Sequence, residues 1–220
     1  MGTEVVTVQV KTIYQTMYAR MGKQPWLEEW QETPWEVVYG GILVQNTSWR
    51  NVVPSLNNLK LNFNFNPKLI LELSDEELQQ NVRPSGFYTR KAAAIKNILQ
   101  WAKGYDFSVS RIQNLTSSQL RAELLALHGI GPETADYVMM YAFEHAGFIA
   151  DKYSRRLFER MDCPLPKGYE AAKKMVEKEL DLTSEQWKNF HAMIVNDGKK
   201  RVEENGHYVL GPVKLTDEII

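Results

Sequence analysis

Residues Leu124–Arg160 read LLALHGIGPETADYVMMYAFEHAGFIADKYSRRLFER: two apolar helical patterns on either side of a Gly-x-Gly turn, with one Asp shortly after the second. Leu120, Leu124 and Leu127 fall at helical spacing before the turn, and Ala135, Val138, Met139 and Ala142 do so after it. Pro132 suits a first helical turn, where its missing N–H costs nothing, and Gly147 reads as the stop of the second helix. The pattern predicts helix, Gly129-Ile130-Gly131 hairpin, helix.

Such a turn has a chemical use. The N–H groups at a glycine turn and helix start have no intrahelical acceptor, the helix N-terminus is electropositive, and glycine puts no Cβ in the way. They can therefore donate to a phosphate oxygen of DNA. Packing alone also accounts for many glycine turns between helices. Three basic runs favour the first reading: Lys152, Arg155, Arg156 and Arg160; Lys199, Lys200 and Arg201; and a looser set of Arg83, Arg90, Lys91 and Lys96. Each run alone reads as a solvated face, whereas three runs around one hairpin predict a surface that follows phosphates. The formal net charge of −1 lends no support of its own, so local clustering carries the argument.

The rest of the chain is helical in pattern. Residues 9–21 predict an amphipathic helix with Val10, Ile13, Met17 and Tyr18 on one side. Trp26, Trp30 and Trp35 then lie in or beside a proline-broken loop, where each serves either as a cover for the core or as the wall of an aromatic pocket. From Pro34 to about Leu59 a single strong helix is predicted, with Thr33 as N-cap and Gly40-Gly41 allowing close packing. The Asn-rich stretch 57–67 reads as a loop. Ser74-x-x-Glu77 opens a short helix ending near Arg83, Pro84-Ser85-Gly86 turns the chain, and a helix runs from about Tyr88 to Ala102. Thr116-x-x-Gln119 caps the first hairpin helix. Beyond Asp151, KYSRRLFERM and GYEAAKKMVEKEL predict two helices, and Thr183-x-x-Gln186 caps a last long one, interrupted at Asn196-Asp197-Gly198. No stretch reads as a strand or an internal repeat, and the fold class is all-α.

Composition excludes several classes. With 44% hydrophobic residues the chain is ordinary for a folded globular protein, and no apolar run is long enough to span a bilayer. The first residues, MGTEVVTVQVKTIYQ, lack the basic and apolar regions of a signal peptide, so a cytoplasmic protein with no membrane partner is expected. One cysteine, Cys163, excludes an internal disulfide and fits a reducing compartment. His128, His145, His191 and His207 stand apart from one another, and no His/Cys/carboxylate spacing reads as a metal site, so no metal and no cofactor are expected.

LHGIGPETAD, followed by Asp151 in IADKYSRRLF, resembles the helix-hairpin-helix of the endonuclease III superfamily of DNA glycosylases. ILVQNTSWRNV resembles that family's second helix, and VRPSGFYTRKA is similar to its 3-methyladenine-releasing branch. The likeness runs roughly from Trp30 to Lys200 and is most specific at GILVQNTSW, VRPSGFY, HGIGPETADY and ADKYS. It implies a two-lobed helical bundle with a central active-site cleft, one lobe from 34–147 and the other from 1–33 with 148–220. Asp151 would be catalytic, and Gln45 would fill the gap left by an extruded nucleotide. Gly129, Ile130, Gly131, Lys152 and Arg155 would hold DNA, and Trp49, Trp30, Trp26 and Glu133 would line the base pocket. The implied partner is double-stranded DNA with a damaged base, met by a monomer. Many members carry a four-cysteine iron–sulfur cluster near the C-terminus; a chain with one cysteine departs from that pattern.

The resemblance implies base excision: an N-glycosidic bond breaks through an oxocarbenium-like sugar whose positive charge a carboxylate stabilises. Read alone, Asp151 is an equally good helix N-cap, and one residue can do both jobs. Gln45 alone is a helix-end capping group. Glu133 stands where bifunctional relatives carry a lysine that attacks the sugar, and a carboxylate cannot form a Schiff base. Its other roles are to border the base or to compensate the helix dipole. Lys152 is the one lysine near enough in sequence to suggest a stand-in amine, though phosphate contact suits it better. Together these imply a monofunctional glycosylase acting on alkylated purines, chiefly 3-methyladenine. The alternatives are a bifunctional glycosylase/lyase of endonuclease III type and a non-catalytic DNA-binding module built on the hairpin.

Overall fold

The computed structural model describes residues 3–24 and 33–205, with side chains over 10–24 and 33–199. Its regular elements are helices, with no strand among the described residues: α1 (Thr3–Met21), α2 (Pro34–Leu43), α3 (Trp49–Phe63), α4 (Pro67–Glu72), α5 (Asp75–Val82), a 3-10 turn (Arg83–Ser85), α6 (Tyr88–Lys103), α7 (Val109–Gln113), α8 (Ser117–Leu125), α9 (Pro132–Tyr141), α10 (Lys152–Arg160), α11 (Tyr169–Glu179) and α12 (Ser184–Asn205). The fold is all-α. The chain forms two compact units, Trp30–His145 and the flanking Met1–Glu29 with Ala146–Ile220. No described helix is long and apolar enough to cross a membrane.

In the unit Trp30–His145, helices α2 to α9 bury Val38, Tyr39, Ile42, Leu59, Ile95, Leu99, Leu120, Leu124, Val138 and Met139 as one core. Local sequence sets most of the boundaries. The Thr33 side chain caps α2 by accepting from Glu36 N–H, and the capping boxes Ser74/Glu77 and Thr116/Gln119 are both formed. Three expectations fail here, each for a readable reason.

The single helix expected from Pro34 to Leu59 is two. Asn46 adopts a left-handed φ of 53°, and the chain turns back so that the tip of Trp49 lies against Gly40; a Cβ on Gly40 would sit 3.1 Å from Trp49 Cη2. The 57–67 stretch is not a loop up to Phe63, because α3 continues through it with Leu56 and Leu59 buried. Its asparagines do not compete with their own backbone, since Asn58 and Asn62 donate instead to the carbonyl and side chain of Asn81. The second hairpin helix stops at Tyr141, well before Gly147. There Glu144 takes the left-handed position, and the N–H groups of Phe143 and His145 close onto Val138 and Met139 carbonyls. Gly147 serves packing: a Cβ there would lie 2.8 Å from Lys173 Nζ.

The flanking unit packs α1, α10, α11 and α12 around Ile13, Met17, Phe148, Phe158, Trp187 and Phe190. Tyr14 meets Phe190 edge-on at 5.2 Å, and Phe148 packs against Phe158 and Trp187. The break expected at Asn196-Asp197-Gly198 is absent, and α12 runs through unbroken. Those residues are there for their neighbours. Asn196 donates to the Gln24 side chain at 2.7 Å, Asp197 pairs with Arg160, and a Cβ on Gly198 would be 2.4 Å from the Tyr153 ring.

Candidate functional site

The hairpin is built to present its backbone. Ile130, 5% exposed, anchors the turn in the core while Gly129 and Gly131 stay exposed on either side. Gly129 has φ +91°, and a Cβ would meet Ala94 Cβ at 2.8 Å, so only glycine fits there. Asn97 donates to the His128 carbonyl at 2.9 Å, tying the turn to α6. Arg121 grips the buried Asp136 with two hydrogen bonds of 2.9 and 3.2 Å, locking α8 to α9. Gly131 is the N-cap of α9 and brings no side-chain cap to its first turn. A helix start of this kind favours an anion. Glu133 lies exposed on that first turn.

Gln45 is joined to the hairpin. Its side-chain amide donates to the Gly129 carbonyl at 3.1 Å and to Thr134 Oγ1 at 3.0 Å. The half-buried Trp49 follows, its indole tip on Gly40. Trp26 and Trp30 lie outside the described residues.

Two groups of this unit escaped sequence reading. Lys91 reads in sequence as one of a basic run, yet it is 2% exposed. Its ammonium donates to the carbonyls of Leu43 and Ser85 at 2.8 and 2.7 Å, and burial lowers its pKa to about 8. It thus pins the end of α2, where the Gln45 loop begins, to the 3-10 turn. On the other side of that turn Phe87 is 62% exposed at a left-handed φ of 48°. A large aromatic held in solvent on a strained backbone is uncommon and points to function. The one signal in the sequence is its place straight after a Pro-Ser-Gly turn.

In the flanking unit, Asp151 is both cap and buried carboxylate. It is 8% exposed and precedes α10, and its Oδ1 accepts from Ser154 N–H at 2.7 Å. Ser154 Oγ donates to the Ile149 carbonyl at 2.8 Å, which fixes the approach to the helix. Burial pushes the Asp151 carboxyl up, but His191 and Ser154 together outweigh it and hold the acid below its ordinary range. The residue is therefore an anion in a nearly dry place, which is the requirement for stabilising a cation beside it.

The basic runs are partly spent inside the fold, while Arg83, Arg90 and Lys152 stay exposed and the side chains of Lys200 and Arg201 lie outside the described residues. Arg160 is buried and paired with Asp197, and Lys96 donates to the carbonyls of Leu71 and Leu73. Arg155 donates to the Pro166 carbonyl at 2.6 Å, and the exposed Lys152 lies 5.0 Å over the Tyr153 ring. The three-run phosphate surface expected from sequence shrinks accordingly: a charge tied to a carbonyl or carboxylate is already neutralised in part. Arg83, 5.7 Å over the Tyr88 ring, stays near the Phe87 turn.

The donor set does not fit an iron–sulfur cluster, since the one cysteine, Cys163, is buried and its thiol pKa is raised by burial. Among the described residues no three His, Cys, Asp or Glu side chains come together as metal ligands would.

The family model described as HhH-GPD superfamily base excision DNA repair protein matches residues 39–185. A protein of Methanocaldococcus jannaschii named "Putative DNA repair glycosylase MJ1434" is 37% identical over 191 residues, covering 86% of each chain. Among solved structures, the 3-methyladenine DNA glycosylase of H. pylori bound to 1,N6-ethenoadenine superposes with a TM-score of 0.72 at 26% identity, over 89% of this chain and 98% of that one. An endonuclease III trapped covalently on DNA also gives 0.72, at 21% identity over 88% and 86%, a likeness of fold.

Proposed function

This chain belongs to the HhH-GPD superfamily of base excision DNA repair proteins, and we propose that it is a monofunctional DNA glycosylase releasing alkylated purines, chiefly 3-methyladenine. The observation that carries the reading is Asp151, a buried carboxylate held in its ionised form at a helix start. A structural cap alone has no need to be dry and charged.

In this reading the hairpin N–H groups donate to a backbone phosphate of duplex DNA, and the damaged nucleotide leaves the stack. The C1′–N bond then breaks, its electron pair leaving with the base. A cationic N3-alkylated adenine departs as a neutral molecule and needs no acid. Asp151 stabilises the positive sugar that remains, water adds at C1′, and the water's spare proton passes to solvent or to the carboxylate. Glu133 offers no amine, so the product is an intact abasic strand. The named substrate of the H. pylori neighbour supports alkylated adenine as the first substrate to try.

The test is release of free base from duplex DNA carrying one 3-methyladenine, by wild type and by Asp151→Asn. Wild type should release it. The variant should fold and bind DNA yet lose on the order of 10² to 10³ in rate, as when other preorganised charge-stabilising groups are removed. Undiminished excision by the variant would reduce Asp151 to a cap.

A further inference from the structure

The carboxylate of Asp151 has two oxygens with different surroundings. Oδ1 is committed to the Ser154 N–H at 2.7 Å. Oδ2 lies 3.8 Å from Nε2 of His191. His191 is 8% exposed and stands on α12 next to the fully buried Phe190, so the imidazole has little freedom to swing away. The distance is too long for a direct hydrogen bond but well inside the range where one charge governs another. Since Oδ1 serves the helix cap, Oδ2 is the oxygen left for an electron-poor sugar, and His191 is the side chain facing it.

Most of the other charged side chains described on the two helices have partners of their own. On α10, Arg160 pairs with Asp197 of α12, Arg155 donates to the Pro166 carbonyl and Lys152 lies over the Tyr153 ring. Arg156, Lys188 and Lys199 have contacts of their own, and α1 presents Tyr14 to Phe190 rather than to the carboxylate. No sequence pattern marks His191: it is an isolated histidine on a long helix, 40 residues from the acid it meets.

We infer that His191 is a positioning residue for the glycosylase reaction, holding the Oδ2 side of Asp151 in place and keeping that carboxylate charged. This rests on the reading of Asp151 as the charge-stabilising group. A dry carboxylate with one oxygen capped and nothing beside the other holds a proton more readily, and a protonated Asp151 stabilises no cation. His191 need not touch DNA, so its loss should act on turnover and leave binding alone.

The experiment compares wild type, His191→Leu, His191→Gln and Asp151→Asn on a duplex oligonucleotide with one 3-methyladenine. Free base, DNA affinity and melting temperature are followed across pH. His191→Leu should lower kcat at least tenfold across the pH range with KM unchanged, because Oδ2 is no longer held in place, and should also move the acid limb of kcat up by about one pH unit, as loss of a partner that favours the charged carboxylate does. His191→Gln keeps a donor at similar reach without the charge. It should recover kcat at neutral pH to within about threefold while its acid limb stays displaced. A wild-type acid limb in both variants overturns the inference, as does a kcat loss that merely follows the unfolded fraction. Should His191→Leu fail to fold, the acid limb of His191→Gln decides alone. Asp151→Asn separates the two claims: if it still releases base, the Asp151 reading fails; if it is dead while His191→Leu is normal, only the role of His191 does.

Discussion

The Gln45 side chain donates to the Gly129 carbonyl at 3.1 Å, joining two parts of the chain 84 residues apart. The same amide reaches Thr134 Oγ1 at 3.0 Å. One side chain thereby connects the loop after α2 to both sides of the glycine hairpin. A residue expected to act on DNA is, in the free protein, part of the hairpin's own scaffold.

Both bonds require a donor, which makes Gln45 testable by charge as well as by deletion. Gln45→Ala should cost about 0.5–1.5 kcal/mol in stability, the usual net worth of such a bond, because Gly129 is exposed and water can replace the amide. Gln45→Glu puts an acceptor against the Gly129 carbonyl and should be the less stable of the two. Thermal melts of the two variants side by side check the order. An equal or higher melting temperature for Gln45→Glu would show that the amide is not held as described.

Strand cleavage distinguishes the glycosylase classes. With Glu133 on the first turn of α9, the reaction should leave an abasic strand that breaks only on later heating or alkali. Borohydride should trap no covalent adduct with DNA. Efficient trapping would mean that another amine reaches the sugar, and Lys152→Ala would then be the variant to examine.

Trp49 packs its tip on Gly40 while remaining half-buried, so its replacement should register in two ways. Trp49→Ala should lose about 1–3 kcal/mol of stability from the emptied contact. If the exposed part of the indole also receives the extruded base, excision per folded molecule should drop more than tenfold, in line with about 1–3 kcal/mol for a base–aromatic stack. Unchanged excision at a lowered melting temperature would assign Trp49 to the core alone.

Lys91 predicts a pH dependence with a definite sign. Burial lowers its pKa from the ordinary 10.5 to about 8, so between those values the unfolded chain holds a proton that the folded chain has released. Stability then increases with pH across that window. Below about pH 8 the ammonium is charged in both states and its burial is fully unfavourable; above about 10.5 it is neutral in both. The difference in unfolding free energy between wild type and Lys91→Met should therefore move in favour of wild type from pH 8 upward. Urea unfolding at pH 7 and pH 9.5 measures it, and a pH-independent difference would show that Lys91 is not desolvated in solution.

The sequence by itself determined what depends on near neighbours in the chain. Helix starts were legible at Thr33, Ser74 and Thr116 because a capping oxygen and the backbone N–H that donates to it lie within four residues of one another. The hairpin was legible because Gly129 takes a left-handed backbone, φ +91°, that glycine alone adopts freely, whereas its closeness to Ala94 was not. Helix ends were not: Glu144 takes a left-handed position ahead of the stop expected at Gly147, and Asn46 turns the chain inside what the pattern reads as one helix from Pro34 to Leu59. The fate of the charges was illegible for the same reason. Whether Lys91, Lys96 or Arg160 faces solvent or a buried carbonyl or carboxylate depends on residues 20 to 50 positions away, and no local pattern records such partners. The tertiary structure alone also put His191 beside Asp151 and Gln45 on Gly129. Periodicity reports which face of a helix is buried, but the group that face meets is fixed only when the other helices pack against it.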